Sequence, residues 1–340
     1  MTDLVIAGGG PVGLAAALYA VRAGLSVVLY EPRAGTIDKA CGEGLMPGAV
    51  AALAGLGVHP AGHRLRGIRY IAGDRRAHAD FRAGPGLGVR RTTLHAALRC
   101  ALDATAVQVV AEPVTKVTQD ATGIVANDTR GRYLIAADGL HSRLRRQLGL
   151  EAPVPAVRRF GLRRHLQTAP WTDYVEVHWS RWAEAYVTPV GPDLVGVAIL
   201  TTRRASFDEQ VDAFDDLRER VRGCAVSSVR GAGPLRQRTR RRVAGRALLA
   251  GDASGYVDAL TGEGIALGMA QAREAVAAVA AGRPQQYEQA WRRVTRRYDV
   301  LTRSLVAVTS VRPGRRALVP MAAALPRVFS AAVDQLARPA

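Results

Sequence analysis

Near the amino terminus an apolar strand runs directly into a glycine turn. Leu4-Val5-Ile6-Ala7 is followed by Gly8-Gly9-Gly10-Pro11-Val12-Gly13 and an alanine-rich stretch to Ala23. Glycines spaced Gly-x-Gly-x-x-Gly at such a junction allow a tight turn, close approach of backbone to a ligand, and close packing of helix on strand. The turn's N–H groups and the positive end of the helix dipole then face a pyrophosphate. Gly24 stops the helix, and Val27-Val28-Leu29-Tyr30 reads as the next strand, ending on Glu31. A carboxylate in that place accepts hydrogen bonds from ribose hydroxyls. The segment therefore predicts a dinucleotide-binding βαβ unit and leaves NAD and FAD open.

The chain has 340 residues, 48% of them hydrophobic, enough for one large α/β body with a smaller companion. Its net charge is +18, carried by arginine except at Lys39 and Lys116. Such a field attracts polyanions. In the densest run, Arg236-Gln237-Arg238-Thr239-Arg240-Arg241-Arg242, arginines at every second position predict one solvated face of a strand. No aromatic side chains interleave there to stack bases, so no nucleic-acid partner is expected. Cys41, Cys100 and Cys224 lie far apart without metal-ligand spacing, which predicts no disulfide framework, no metal and a reducing compartment. No basic leader precedes the first strand and no apolar run approaches the roughly 20 residues of a membrane span. A cytoplasmic protein is expected, with peripheral membrane contact through its basic C-terminal helices left open and the oligomeric state unread.

Strong α/β signals stop and restart along the chain. Helical patterns cover about 46–56 and 92–103, whereas Ile68 to Val89 and most of 155–235 break into short strand-like pieces. This predicts a discontinuous first domain (1–67, 90–154 and 236–285), an inserted β domain (68–89 and 155–235) and a helical segment (286–340). Two helices are expected in the last part, Gln286 to Thr309 and Ala317 to Leu336, with Pro313 and Pro320 between them.

Two further apolar strands end on an acid beside glycine, at Tyr133-Leu134-Ile135-Ala136-Ala137-Asp138-Gly139 and Ala247-Leu248-Leu249-Ala250-Gly251-Asp252. Such a carboxylate can reach a polyol that passes close to the backbone. Asp138-Gly139-Leu140-His141-Ser142-Arg143-Leu144-Arg145 resembles the DGxxSxxR motif, and Gly251-Asp252-Ala253 the GD motif, of the p-hydroxybenzoate hydroxylase-fold superfamily. That superfamily includes the group A flavoprotein monooxygenases and the geranylgeranyl reductases, and the resemblance covers residues 1–285. It implies a Rossmann-type FAD-binding domain carrying an inserted antiparallel β-sheet substrate domain, followed by C-terminal helices. It also implies non-covalent FAD and NAD(P)H as a transient reductant. Carried over position by position, it assigns cofactor contacts to Gly8, Gly10, Val12, Gly13, Glu31, Arg91, Val114, Asp138, Gly251 and Asp252. Lys39-Ala40-Cys41-Gly42-Glu43-Gly44-Leu45 and Leu260-Thr261-Gly262-Glu263-Gly264-Ile265 resemble the reductase branch, adding Ala40, Cys41, Gly42, Glu43, Gly44, Gly262, Gly264 and Ile265. The family often has proline where this chain has Ala259. Trp179-Ser180-Arg181-Trp182 does not match the WxWxIP signature of the related halogenases, and no lysine follows the GE-containing loop in the way they require.

Three aromatic residues within eight positions, Trp179, Trp182 and Tyr186, predict an apolar wall for a hydrophobic small-molecule substrate. The resemblance implies an NAD(P)H-driven monooxygenase acting on an aromatic or lipid-like compound. Its alternative is a flavin-dependent reductase of a carbon–carbon double bond. A basic interaction protein holding FAD as a structural prop is a third reading. No catalytic side chain is assigned, because the flavin carries the difficult chemistry.

Overall fold

A computed structural model describes residues 1–154 and 158–338. Residues 155–157, which open the second part of the expected insert, and the last two of the chain, 339–340, lie outside the described residues. In chain order the elements that position the site begin with β1 (Thr2–Ala7), α1 (Pro11–Arg22), β2 (Val27–Tyr30) and α2 (Pro47–Gly55). The hairpin β3 (Gly67–Ala72) and β4 (Arg75–Asp80), α3 (Arg91–Asp103), β5 (Gln108–Val110), β6 (Thr129–Ala136) and the short α4 (Arg143–Gln147) follow. Then come β7 (Phe160–Gln167), β8 (Tyr174–Trp179), β9 (Ala183–Gly191), β10 (Leu194–Thr201) and β11 (Ala247–Leu249). The chain closes with α5 (Gly264–Ala280), α6 (Gln286–Ser310), α7 (Arg312–Ala324) and α8 (Pro326–Ala337).

The strands β11, β6, β1, β2 and β5 lie side by side in that order and pair in parallel. Parallel strands covered on their faces are continuously apolar, and β1, β2, β6 and β11 fit: Leu4, Ile6, Leu29, Ile135 and Leu248 are fully buried. One face packs on α1 and α5. These helices approach closely because Gly268 faces Val12, where a Cβ would come within 2.4 Å of the valine Cγ2.

The second sheet runs β7-β10-β9-β8-β3-β4, antiparallel except at the β8–β3 pairing. It alternates as period-two geometry requires. Ala185, Val187, Val197 and Ile199 pack with Phe207 and Leu217 in one core cluster, while Tyr186, Leu200, Val175 and Val177 belong to the opposite face. The piece at Gly86–Gly88 does not join this sheet. It pairs with Gly44–Leu45 and His63–Leu65 in a separate small sheet, bringing the 41–45 loop against the insert.

Two expectations are corrected. Only Arg238–Thr239 of the arginine run is strand, paired with Glu151–Ala152. Arg238, Arg240 and Arg241 are exposed, as a solvated face requires, with Arg240 donating to Glu151 O, whereas Arg242 ion-pairs with Glu288 while lying 3.5 Å over the Trp291 ring. The C-terminal region contains three helices, with Pro320 inside α7 and the break at Leu325–Pro326, since Pro326 is tolerated only as the first residue of a new helix.

Arg145 ties the two acid–glycine loops together. Fully buried, it donates to the carbonyls of Leu140 (3.1 Å), Asp252 (3.4 Å) and Ala253 (3.2 Å) and to Gln237 Oε1 (2.8 Å). Replacing it leaves these buried acceptors without partners, each costing about 1–3 kcal/mol. Arg145→Leu is therefore expected to lower stability by about 3 kcal/mol or more and to release bound flavin. Arg145→Lys should rescue only part, because one ammonium cannot span the fork of acceptors. Thermal melting with flavin release checks this, and a leucine variant as stable as the parent would contradict it.

Candidate functional site

β1 ends at Ala7, and Gly8 adopts φ +105°, where a side chain would collide with the Ala137 carbonyl at 2.5 Å. Gly13 is equally constrained, since a Cβ there would sit 1.8 Å from Gly8 O. Gly10 is the opposite case: the space where its side chain would be is open, with only the Arg91 guanidinium at 4.0 Å. α1 begins with Pro11, has no side-chain cap and carries no acid in its first turn. Its amide donors and dipole are thus left to an external anion. Glu31 directly follows β2 and accepts from Gly9 N at 2.7 Å and from Arg33. Burial works against its charge, but the hydrogen bonds from Arg33 and Gly9 outweigh it and hold the carboxyl below the usual range.

From this turn a cavity of about 410 Å³ opens toward the second sheet. Its polar end is lined by Gly10, Val12, Lys39, Arg91, Asp138 and Asp252. Asp138 spends one carboxylate oxygen on Leu144 N at 3.2 Å, while Oδ1 is buried with no partner, as is Nε of Arg91. Lys39 Nζ lies 3.3 Å from Asp252. Unsatisfied buried groups beside an uncapped helix start are what a phosphate- and polyol-bearing ligand would satisfy, so the residues fit FAD. The middle of the cavity is walled by Ala40, Cys41, Gly42, Glu43 and Gly44 on one side and Gly262, Gly264 and Ile265 on another. Its far end is lined by Ile68, Tyr70, Val175, Val177, Tyr186, Leu200 and Leu235.

The wall segment 41–44 is held in an unusual way. Glu43 has φ +60° and is buried, 3% exposed, so the conformation must be stabilised from outside. His165 Nε2 lies 2.6 Å from Glu43 Oε2, and Arg91 N donates to Oε1 at 2.9 Å. Arg163 donates to His165 Nδ1 at 3.1 Å, which makes Nε2 the protonated nitrogen that donates to Glu43. Arg163 in turn pairs with Asp38, which Arg230 also holds at 3.1 Å. The carboxylate of Glu43 thus anchors the wall to β7 instead of facing the cavity. Cys41 lies on the wall, and burial pushes its thiol up, so it stays protonated and non-nucleophilic. Tyr186 donates to Leu260 O at 2.8 Å, fastening β9 to the 258–262 loop.

Four side chains expected at the site do not line the cavity: Glu31, whose carboxylate is taken up by Gly9 and Arg33, and three residues placed elsewhere. Val114 is buried among Val5, Val28 and Leu134 in the core of the parallel sheet, off the cavity wall. Trp182 precedes β9 and packs on the far face with Ala185 and Val187, Arg203 lying 4.0 Å over its ring. Trp179 is on the cavity side but behind Tyr70, 5.4 Å away edge to face. Of the three aromatic residues only Tyr186 reaches the wall: Trp182 packs on the opposite face, and Trp179, on the same face as Tyr186, is screened by Tyr70. Sequence reasoning missed His165, Arg163 and Asp38, and also His95, which is buried with Nε2 3.0 Å from Gly9 O. The position of His95 one residue after the Arg91-x-x-Leu94 pattern is the only local signal for any of them.

A glycine turn, two acid–glycine loops and an apolar chamber beyond them define an FAD-dependent oxidoreductase. Comparison with known proteins gives the family. A model described as FAD binding domain matches residues 1–286. Menaquinone reductase of Mycobacterium tuberculosis is 33% identical over 307 residues, covering 80% of this chain and 74% of that protein. The chain therefore belongs to the FAD-binding flavoprotein family of p-hydroxybenzoate hydroxylase type. Two solved structures share the fold. They are the flavin-dependent brominase Bmp2 (TM-score 0.82, 16% identity, 99% of this chain and 93% of that one) and a geranylgeranyl bacteriochlorophyll reductase-like protein of Thermoplasma acidophilum (TM-score 0.74, 18% identity, 97% and 91%).

His165→Leu leaves Glu43 buried without its donor and is expected to cost about 3 kcal/mol. His165→Gln, which can still donate, should cost less than half as much, and equal losses in chemical denaturation would contradict the pinning role. A second expectation concerns Glu263, buried off the cavity wall, whose carboxyl burial raises from 4.5 to about 8 against the opposing charge of Arg297. Between those values the unfolded chain releases a proton that the folded one keeps, so stability falls as pH rises, by up to about 1.4 kcal/mol per unit. Glu263→Gln should accordingly gain melting temperature over the parent from pH 5 to pH 8, and a pH-independent difference would refute this.

Proposed function

We propose that this protein is a flavin-dependent reductase acting on a carbon–carbon double bond in a long apolar chain of polyprenyl type, with NAD(P)H as the electron donor. The observation that carries the reading is the far end of the cavity, where Ile68, Val175, Val177, Leu200 and Leu235 present aliphatic surface and the polar groups are the tyrosines Tyr70 and Tyr186. Tyr186 already spends its hydroxyl on Leu260 O. Among the described residues no carboxylate, guanidinium or imidazole lines that end to orient a polar substrate. An apolar chain is stabilised there by about 0.8 kcal/mol per buried CH2. The similarity to menaquinone reductase, and a fold shared with a geranylgeranyl reductase-like protein, point to ligands with a polyprenyl chain.

FAD, when bound, supplies the two-electron chemistry. The chain's own part is positioning. The 41–44 and 262–264 segments bring glycine amides to the middle of the cavity, where close backbone approach can stabilise developing negative charge. The Glu43–His165 anchor and the Tyr186–Leu260 bond keep both segments fixed relative to the second sheet. Burial keeps Cys41, Tyr70 and Tyr186 in their protonated forms, so the wall carries neutral proton-holding groups. The hydroxylase reading retains one observation in its favour: Tyr70 and Tyr186 give the chamber ring-shaped walls suited to an aromatic substrate.

The two readings differ in their need for oxygen. Enzyme reduced under strict anaerobiosis and mixed with a polyprenyl-chain quinone is expected to return to the oxidised spectrum and yield a product that is still heavier by two hydrogens, located in the side chain, after its ring has been reoxidised to the quinone. Reoxidation only on admitting oxygen, with a product heavier by one oxygen atom, would overturn the proposal.

A further inference from the structure

From Ala317 onward the last two helices are mostly apolar on both sides. From Ala317 to Ala337 the only charged residues are Arg327 and Asp334, in a chain where 22% of residues are charged. The inner side of α8 covers the chamber. Leu336 lies on the cavity wall, Val333 is buried, and the Phe329 ring packs 4.8 Å from Tyr70. Among the described residues the outer side is left open: Met321, Leu325 and Val328 are 58%, 50% and 63% exposed, and Ala331 and Ala332 are exposed beside them. A helix apolar all round belongs in a core or against lipid, and clustered exposed apolar side chains mark an interaction surface.

The geometry points to an anionic phospholipid bilayer as the occupant of this surface. We infer that the α7–α8 corner inserts into the headgroup region and that α8 is the cover past which an apolar chain moves between bilayer and cavity. No single described helix is long and apolar enough to cross a membrane, and α7 and α8 meet at 103°, so the pair forms a projecting corner and not a span. Leu325 stands at its apex, with Met321 and Val328 one turn away on either side. Exposed Arg327 stands beside the apolar tip, and exposed Arg312, Arg316 and Arg338 lie at the far ends of the two helices, a pairing of apolar tip with basic flanks that combines shallow insertion with attraction to anionic headgroups. A second copy of the chain fits less well, because two proteins of net charge +18 repel where a bilayer attracts.

The attachment of the helices fits a cover. α7 is held firmly, by an ion pair of Arg315 with buried Glu184 at 2.8 Å and a hydrogen bond from Arg315 to Ser180 O. α8 is held by apolar contacts, by Asp334 with Arg82 at 3.1 Å, whose arginine side chain is 75% exposed, and at its C-cap by an exposed hydrogen bond from Arg297 to Arg338 O at 3.0 Å. Exposed ion pairs contribute little, so α8 is the element that can lift. The docking stands on the surface alone. The passage of substrate beneath α8 rests on the proposed function.

The test uses the full chain with FAD, floated with vesicles of phosphatidylcholine with and without phosphatidylglycerol. Binding is expected with phosphatidylglycerol, weakened by salt and weakened at least about tenfold in the double variant Leu325→Asp, Val328→Asp. Val226→Asp, at an exposed position on the second sheet, should bind like the parent. The corner double variant should keep its flavin and its rate of reduction by NAD(P)H, because neither residue lines the cavity. Absence of anionic-lipid dependence, or equal binding by both variants, would overturn the inference, and so would a parent dimer in light scattering that the corner variant dissolves. Vesicle binding with no turnover of any polyprenyl compound would leave the docking standing and remove the proposed substrate.

Discussion

A single buried guanidinium joins the parts of the molecule that must act together. Arg145 reaches from the start of α4 to carbonyl groups in both the 138–142 and the 251–254 loops. Those loops end neighbouring parallel strands, β6 and β11, and each presents a carboxylate to one cavity. Burial lowers the basicity of Arg145, a measure of how strongly its site resists a charge. The cost is offset because nearly every donor finds an oxygen, and removal would leave a ring of unsatisfied acceptors. With these loops fixed, the Gly8–Gly13 turn stands opposite them at the polar end of the cavity.

The apolar end depends on a second set of fixings that cross from one sheet to the other. His165 on β7 holds Glu43 in a left-handed conformation, and Tyr186 on β9 holds the 258–262 loop through Leu260. Each bond lies well inside the protein, where a hydrogen bond is electrostatically stronger than in water. The segments closest to the middle of the cavity are therefore positioned by the second sheet, so ligand contacts on that sheet can be felt at the cofactor side without any large movement.

What could be read in the sequence was what is local. The βαβ turn, the two strand-terminal acids and the glycines at 42, 44, 262 and 264 announce themselves within a few residues, because backbone approach demands glycine in place. The Glu43–His165 pair spans 122 positions and has no local signature. The aromatic cluster misled for a similar reason: Trp179 and Tyr186 share a face of the sheet and Trp182 does not, which depends on register and turn length. The arginine run looked like one strand face, but only Arg238–Thr239 is strand, and Arg242 is drawn inward by Glu288 and Trp291, which lie one turn apart on α6. Pro320 read as a break and proved compatible with helix, whereas Leu325–Pro326 supplies the corner.

A frame that holds a flavin at the mouth of an aliphatic chamber should discriminate ligands by chain length more than by ring substitution. The direct measurement is titration of the oxidised flavoprotein with a series of quinones bearing side chains of none, one, two, three and more prenyl units, following perturbation of the flavin absorbance. Affinity is expected to rise with each added unit until the chamber is filled and then to level off. Affinity independent of chain length, with small phenols binding as tightly as prenylated quinones, would contradict this account of the site.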